Sequence, residues 1–218
     1  MDKELVMIKA IIKADYERHI KRFETSKEMS DILFLGDSIM AYAPLKKMGY
    51  QEILNQGIPG DTTLGVMNRL SYVYQAKPKI VFLHIGSNDL VLTEHDEHQI
   101  ILNIQKIVHE LNTRQIKVYL LSITPVLSHH TKTNQTYVKN RTNDKINHLN
   151  DIMRNLDGIE LFIDVNEILK DKNHQLHENY TTDGVHLNDL GYELFFQELK
   201  PWIMIDKNER PKLAFRFT

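Results

Sequence analysis

Two short segments, far apart in the chain, supply the residue types that nucleophilic catalysis requires. Ser38 stands directly after an apolar stretch, and Asp183 and His186 lie three residues apart near the other end. A serine hydroxyl is a weak nucleophile until a base removes its proton, and a carboxylate is needed to hold that base in the right tautomer. We therefore predict that Ser38, Asp183 and His186 meet in space as the nucleophile, acid and base of a catalytic triad.

Such a triad also needs hydrogen-bond donors where negative charge develops on the attacked carbonyl oxygen. The backbone N–H of Ser38 lies at the expected start of a helix, and Gly57 offers an N–H that no side chain blocks. Asn88 adds a side-chain amide, although its Ser-Asn-Asp context also favours a plain turn. We predict that Ser38, Gly57 and Asn88 form this oxyanion hole, and that Asp37 and Asp89 brace the surrounding loops through hydrogen bonds.

Apolar runs and amphipathic stretches alternate along the chain and define the elements that position these residues. The apolar runs predict strands, and their continuous character suits a parallel sheet that is covered on both faces. The amphipathic stretches predict helices, the first of which has the period of a helix packed on the side of a domain. The predicted strands are 31–35, 52–55, 79–85, 117–123 and 160–164, and the predicted helices are 3–25, 59–74, 96–113, 142–156 and 188–202.

This alternation predicts an α/β fold in which helices cover both faces of a parallel sheet. Ligands bind at the carboxyl ends of the strands in such folds. Ser38, Gly57, Asn88 and the segment 183–186 all follow predicted strands or precede the next helix. We expect a single domain over residues 1–218, with an N-terminal helix within residues 1–28 and an unassigned tail at 207–218.

The composition excludes several classes of function. Hydrophobic residues make up 42% and charged residues 26% of the 218 residues, and the formal net charge of -2 gives no basis for binding nucleic acid. The absence of cysteine excludes disulfides, thiolate metal sites and cysteine nucleophiles. No run approaches the roughly 20 apolar residues of a membrane span. We expect a cytoplasmic protein that binds a small-molecule substrate, and a homodimer is compatible with the sequence.

Four ordered sequence blocks resemble those of the SGNH, or GDSL-type, hydrolases. They are Gly36-Asp37-Ser38-Ile39, Asn55-Gln56-Gly57-Ile58-Pro59-Gly60, Gly86-Ser87-Asn88-Asp89 and Asp183-Gly184-Val185-His186-Leu187, and the similarity covers about residues 31–200. The resemblance implies a serine esterase that works through an acyl-serine intermediate, with neither a metal nor an organic cofactor. It also implies the triad and the oxyanion-hole residues named above. The fold that it implies is a three-layer α/β/α, flavodoxin-like fold with a five-stranded parallel sheet of strand order 2-1-3-4-5.

Two further segments narrow the resemblance within that family. Gly60-Asp61-Thr62-Thr63 and Lys77-Pro78-Lys79 are similar to the intracellular platelet-activating-factor acetylhydrolase catalytic subunits and their bacterial relatives. The similarity implies that the acyl group removed from the ester is small, acetyl being one example. The polar loop 127–141 follows the fourth predicted strand, so we expect it at the rim of the site, either shaping the substrate pocket or simply solvated.

Two other functions remain open from the residues alone. His174 and His177 are spaced as metal ligands on one helical face can be, and a metal-dependent phosphoesterase would lose its activity to a chelator. The same layout also serves non-catalytic binding modules, whose serine would not react with a fluorophosphonate probe. His84, on the third predicted strand, is best explained as a core histidine with a hydrogen bond to the backbone.

Overall fold

The computed structural model describes residues 3–204. The strands are β1 (Ile32–Gly36), β2 (Leu54–Gly57), β3 (Ile80–His84), β4 (Lys117–Leu121) and β5 (Leu161–Ile163). The helices are α1 (Lys3–Thr25), α2 (Ser38–Ala41), α3 (Thr63–Asn68), α4 (Leu70–Gln75), α5 (Asp89–Leu92), α6 (Glu97–Asn112), α7 (Gln135–Val138), α8 (Asn143–Met153) and α9 (Asp189–Ile203), with 3-10 turns at Glu167–Leu169 and Glu178–Tyr180. The tail 207–218, which the sequence leaves unassigned, lies outside the described residues.

The five strands form one parallel sheet in the order β2-β1-β3-β4-β5, which confirms the predicted topology. In β1, Gly36 pairs with Gly57 of β2 on one side and with His84 of β3 on the other. Helices α3, α4, α6 and α8 bury apolar side chains against one face of the sheet, and α2 and α9 do so against the other. The carboxyl ends of the strands therefore share one edge, where the loops after β1, β2 and β3 lie side by side.

The stretch 59–74 is predicted as one helix, and this prediction is wrong. The chain forms two short helices, α3 and α4, separated at Arg69, whose φ of -118° departs from helical geometry. The Arg69 side chain is fully buried; its Nε donates to Oδ2 of Asp61 at 2.8 Å and its Nη2 donates to the carbonyl oxygen of Gly36 at 3.1 Å. A charge that is removed from water must be paired, and Asp61 and Gly36 provide the partners. The break between the two helices falls at the residue whose guanidinium is buried in this way.

The four-residue helices α5 and α7 are absent from the sequence prediction, and of α2 it gives only the start, at Ser38. A single turn is too short to show a hydrophobic period, so these helices leave no pattern. The strands begin and end within two residues of their predicted limits. Among residues 3–204, no helix combines the length and the apolar character needed to cross a membrane.

Removal of one partner of the Arg69–Asp61 ion pair should destabilise the fold strongly, because both side chains are almost completely buried. We expect Arg69→Met to lower the free energy of unfolding by about 3–5 kcal/mol, since it leaves the Asp61 carboxylate buried without its cation. Urea denaturation followed by circular dichroism measures this loss. Lys47→Met is a matched control, because Lys47 and Asp189 form an ion pair in which both side chains are more than half exposed; it should cost no more than about 1 kcal/mol. Equal losses for the two variants would contradict the importance of the buried pair.

Candidate active site

Ser38 is presented by a sharp turn between β1 and α2. Gly36 ends the strand with a φ of +147°, and a Cβ atom at this position would lie 1.9 Å from the carbonyl oxygen of His84. Only glycine permits so close an approach of the two strands. Asp37 then caps α2 by accepting a hydrogen bond from the N–H of Ile39 at 3.0 Å. The turn places Ser38 as the first residue of the helix, at the carboxyl edge of the sheet.

Asp37 makes the bracing contacts that we predict for it, and its partner is His84. Nδ1 of His84 lies 3.1 Å from Oδ1 of Asp37, and both side chains are almost fully buried. Nε2 of the same ring accepts a hydrogen bond from the N–H of Thr124 at 3.4 Å. With Nε2 as acceptor, Nδ1 carries the proton and donates it to the carboxylate. His84 is thus a core histidine that holds the loop before Ser38, and it hydrogen-bonds to a carboxylate as well as to the backbone.

The acid and the base of the predicted triad lie in one turn before α9. Oδ2 of Asp183 is 2.6 Å from Nδ1 of His186, and Oδ1 accepts hydrogen bonds from the N–H groups of Val185 at 3.0 Å and His186 at 2.8 Å. Nε2 of His186 lies 3.0 Å from Oγ of Ser38, across 148 positions of sequence. The structure therefore brings Ser38, Asp183 and His186 together in the order of contacts that a serine hydrolase uses.

The surroundings of this turn favour an ionised carboxylate and a fixed ring. Partial burial alone would raise the pKa of Asp183, but the hydrogen bonds and charge of His186 and the two backbone donors bring it below its ordinary value. The imidazole ring is also held between two tyrosines, with ring centroids 5.5 Å from Tyr42 and 5.6 Å from Tyr137 in edge-on contact. These contacts orient the ring towards Ser38.

Asn88 lies at the same edge, after β3, and its amide is fixed from both sides. Its Nδ2 donates to the carbonyl oxygen of Asp61 at 2.9 Å, which leaves a second amide hydrogen for a ligand. Its neighbour Asp89 is buried and accepts hydrogen bonds from the backbone N–H of Thr63 at 3.0 Å and from its hydroxyl at 2.5 Å. Asp89 thus ties the loop after β3 to the start of α3, as the predicted brace requires.

The structure does not support Gly57 as an oxyanion donor. Its N–H donates to Oδ1 of Asn55 at 2.8 Å, and a Cβ atom at this position would lie 2.3 Å from the backbone nitrogen of Ala41 in α2. Gly57 is therefore needed for close packing of β2 against α2. Gly60, three residues later, lines the cavity beside Ser38, and no acceptor within residues 3–204 takes its N–H. Gly60 replaces Gly57 in the candidate oxyanion hole.

Arg141 is a site residue that the sequence analysis missed. It ends the loop 127–141, and its buried guanidinium donates to Oδ1 of Asn88, to the carbonyl oxygen of Tyr137 and, at 3.1 Å, to the carbonyl oxygen of Ser87. Burial lowers its pKa to about 10, against the opposing effect of nearby carboxylates, so the side chain remains a cation at neutral pH. An arginine in a polar loop looks like a solvated residue, and no spacing pattern in the sequence marks it.

These residues surround a cavity of about 200 Å³. Its polar lining includes Ser38, Asn88, Arg141 and His186, and its apolar lining comes from α1 and from the loops at the sheet edge. Within residues 3–204, no three histidine, aspartate or glutamate side chains are grouped so that they could hold a metal ion. His177 instead uses Nδ1 to accept a hydrogen bond from the N–H of Asn179 at 3.1 Å.

The fold and parts of the sequence are shared with solved structures. A Streptococcus pneumonia protein provisionally described as a platelet activating factor superposes with a TM-score of 0.79 at 26% identity, over 93% of this chain and 99% of that chain. A GDSL-like lipase from Bacteroides thetaiotaomicron VPI-5482 gives 0.73 at 22% identity, over 88% and 98% of the two chains. An acetyl xylan esterase gives 0.64 at 24% identity, over 79% and 98%.

A longer curated protein contains a related segment. The N-acylneuraminate cytidylyltransferase of Escherichia coli O18:K1:H7 (strain RS218 / NMEC) is 28% identical over 180 residues, which cover 78% of this chain. The chain spans 40% of the length of that protein. The sequence model of the GDSL-like lipase/acylhydrolase family matches residues 34–194, more than half of the chain. The chain therefore belongs to the GDSL-like lipase/acylhydrolase family.

Proposed function

We propose that this protein is a serine esterase that cleaves its substrate through an acyl-serine intermediate. The observation that carries the proposal is the 3.0 Å contact between Oγ of Ser38 and Nε2 of His186, with Asp183 hydrogen-bonded to the other ring nitrogen. His186 takes the proton of Ser38 while the serine oxygen attacks the ester carbonyl. The ionised Asp183 holds the neutral ring in the right tautomer and stabilises the imidazolium that forms.

The remaining steps follow from the same contacts. His186 returns its proton to the ester oxygen, the C–O bond breaks and the alcohol leaves, so that Ser38 carries the acyl group. A water molecule then gives a proton to His186 and attacks the acyl carbonyl. Collapse of this second intermediate breaks the bond to Ser38, which recovers its proton from His186, and the carboxylic acid is released. No step in this sequence needs a metal or an organic cofactor.

Three residues that line the cavity supply, in this proposal, the hydrogen-bond donors for the carbonyl oxygen as it becomes negative. These are the N–H of Ser38, the N–H of Gly60 and the second amide hydrogen of Asn88. The Ser38 donor lies at the start of α2, and the other two come from the loops after β2 and β3. Donors that are already oriented cost no reorganisation when the charge appears, which is why they stabilise the transition state.

The acyl group in this proposal is small, such as acetyl. Two segments, residues 60–63 and 77–79, are similar to the intracellular platelet-activating-factor acetylhydrolases, and a solved structure named for platelet activating factor is 26% identical. The substrate is then a small-molecule ester, and a cytoplasmic location remains part of the proposal. The cytidylyltransferase relative is much longer than this chain, so its named activity is not carried over.

Replacement of Ser38 by alanine tests the nucleophile. We expect Ser38→Ala to lower kcat for p-nitrophenyl acetate by about 10⁴–10⁶-fold and to abolish labelling by a fluorophosphonate probe, because the hydroxyl in contact with Nε2 of His186 is that of Ser38. Ser128→Ala, in the loop 127–141, is the matched serine control and should retain both activity and labelling. An Ser38→Ala variant that kept most of its activity would refute the assignment, and loss of wild-type activity to a chelator would favour a metal-dependent hydrolase.

Replacement of Asp183 by asparagine tests the role of the carboxylate. Asparagine keeps the size of the side chain but removes the charge that fixes the proton on Nδ1 of His186, so we expect kcat to fall by about 10⁴-fold. The measurement is the steady-state rate on p-nitrophenyl acetate, with circular dichroism to confirm the fold. Asp157→Asn, in the exposed turn before β5, is the control and should leave the rate unchanged. A loss below tenfold for Asp183→Asn would contradict the triad.

The contact between Arg141 and Asn88 predicts that the arginine acts through the amide. We expect Asn88→Ala to lower kcat by about 10²–10³-fold, as loss of an oxyanion-hole donor does. Arg141→Lys should lower it by about 10²-fold, because lysine cannot hold Asn88, Ser87 and Tyr137 at once and the amide loses its orientation. In an Asn88→Ala background, Arg141→Lys should cost little more. Fully multiplicative losses in this double-mutant cycle would show that Arg141 acts independently of Asn88.

A further inference from the structure

The N-terminal helix α1 contributes part of the wall of the catalytic cavity. Ile8, Ile11, Ile12 and Asp15 line the cavity together with Ser38 and His186. The family model matches only residues 34–194, so α1 lies outside the matched region. The triad and its loops come from the sheet edge, whereas this part of the pocket comes from an element that precedes the sheet.

The second half of α1 is anchored on the rest of the protein. The hydroxyl of Tyr16 donates to the carbonyl oxygen of Gly65 in α3 at 3.1 Å. Phe23 is buried, with its ring 5.8 Å from the guanidinium of Arg69 and 6.2 Å from the ring of Tyr72. These contacts hold the helix in place, so the isoleucines in its first half lie at fixed positions in the cavity.

Ile12 lies directly against the candidate oxyanion hole. A Cβ atom at Gly60 would lie only 2.7 Å from the side chain of Ile12, so the isoleucine packs on the bare backbone of this glycine. Gly60 also has a φ of +78°, which glycine adopts readily. Since the N–H of Gly60 faces the carbonyl oxygen of the substrate in the proposed mechanism, Ile12 lies close to the group bound to that carbonyl.

The apolar lining of this cavity suits an acyl group better than an alcohol. Besides the isoleucines of α1, it includes Ile39, Val91, Leu92 and Val185. On the other side of the reaction, His186 also lines a second, more open cavity beside Asp183, Asn188 and Asp189. His186 lines both cavities, so it can protonate an alcohol that departs through either. We assign the departing alcohol to the more open cavity and the acyl group to the more enclosed, apolar one.

We infer that Ile8 and Ile12 of α1 set the length of the acyl group that the enzyme accepts. This inference rests on the proposed esterase function and deepens it by naming residues that determine specificity. The two side chains line the same apolar cavity as Ser38, so their size limits the space left for the acyl group. A single methylene that fits or fails to fit a hydrophobic pocket changes kcat/KM by about 10–200-fold, so a change of this wall is measurable.

The experiment compares kcat/KM for p-nitrophenyl acetate, butyrate and octanoate in the full-length chain. Because the alcohol is the same in all three esters, only the fit of the acyl group differs. We expect Ile12→Ala and Ile8→Ala to raise the octanoate-to-acetate ratio by at least about tenfold. Ile8→Trp should lower the butyrate-to-acetate ratio, which gives a test in the opposite direction. Val6→Ala is the control, since Val6 lies on the same helix, is 48% exposed and does not line the cavity.

The outcomes separate this inference from the proposed function. One outcome is that the wild type hydrolyses the esters and is labelled by the fluorophosphonate, but the chain-length ratios are unchanged in all three isoleucine variants. This outcome would overturn the role of α1 and would leave the proposed esterase function unaffected. If the wild type shows no hydrolysis and no labelling, the proposed function is overturned, and this inference with it. The inference would also be overturned if the isoleucine variants changed the relative kcat/KM values of acetate esters with longer alcohols, and not those of esters with longer acyl groups. Should Ile12→Ala fail to fold, the opposite shifts expected for Ile8→Ala and Ile8→Trp still decide the question.

Discussion

The site depends on a single hydrogen bond between Ser38 and His186, residues that are 148 positions apart. Nothing local in the sequence brings them together. They meet because β1 lies inside a parallel sheet and the turn before α9 returns to the edge where that strand ends. Gly36 makes the contact possible, since any side chain there would collide with the backbone of β3. The topology of the sheet is thus the condition for the chemistry.

Each loop at this edge is held by a polar side chain that is withdrawn from water. Asp37 pairs with His84 before Ser38, Asp89 with the start of α3, and Asn88 with the guanidinium of Arg141. Buried polar groups are costly unless they are paired, so each pairing restricts its loop to one arrangement. In the proposed esterase, the donors and the nucleophile are therefore oriented before a substrate arrives, which is the preorganisation that electrostatic catalysis requires.

Much of this arrangement is predictable from the sequence because strands, strand ends and residue types are local signals. The parallel sheet, the contacts among Ser38, Asp183 and His186, and the bracing positions of Asp37 and Asp89 follow from them, and the strand order follows from the family resemblance. The choice between Gly57 and Gly60 does not, because it depends on which N–H the turn directs into the cavity. The sequence analysis also missed Arg141 and the helix break at Arg69, for a related reason. Both arginine side chains are buried cations, whereas a charged residue is ordinarily solvated.

In helix α1, the apolar residues likewise do not reveal their role from the sequence alone. Its three- and four-residue period predicts a helix that packs on the domain, and Tyr16 and Phe23 do pack there. The period is equally satisfied by Ile8 and Ile12, which instead face the cavity. A hydrophobic stripe indicates only that one face of a helix is buried away from water. Either the rest of the protein or a bound hydrocarbon group can cover that face. Only the position of the helix relative to Ser38 distinguishes the two, so the residues that select a substrate are harder to find in the sequence than the residues that react with it.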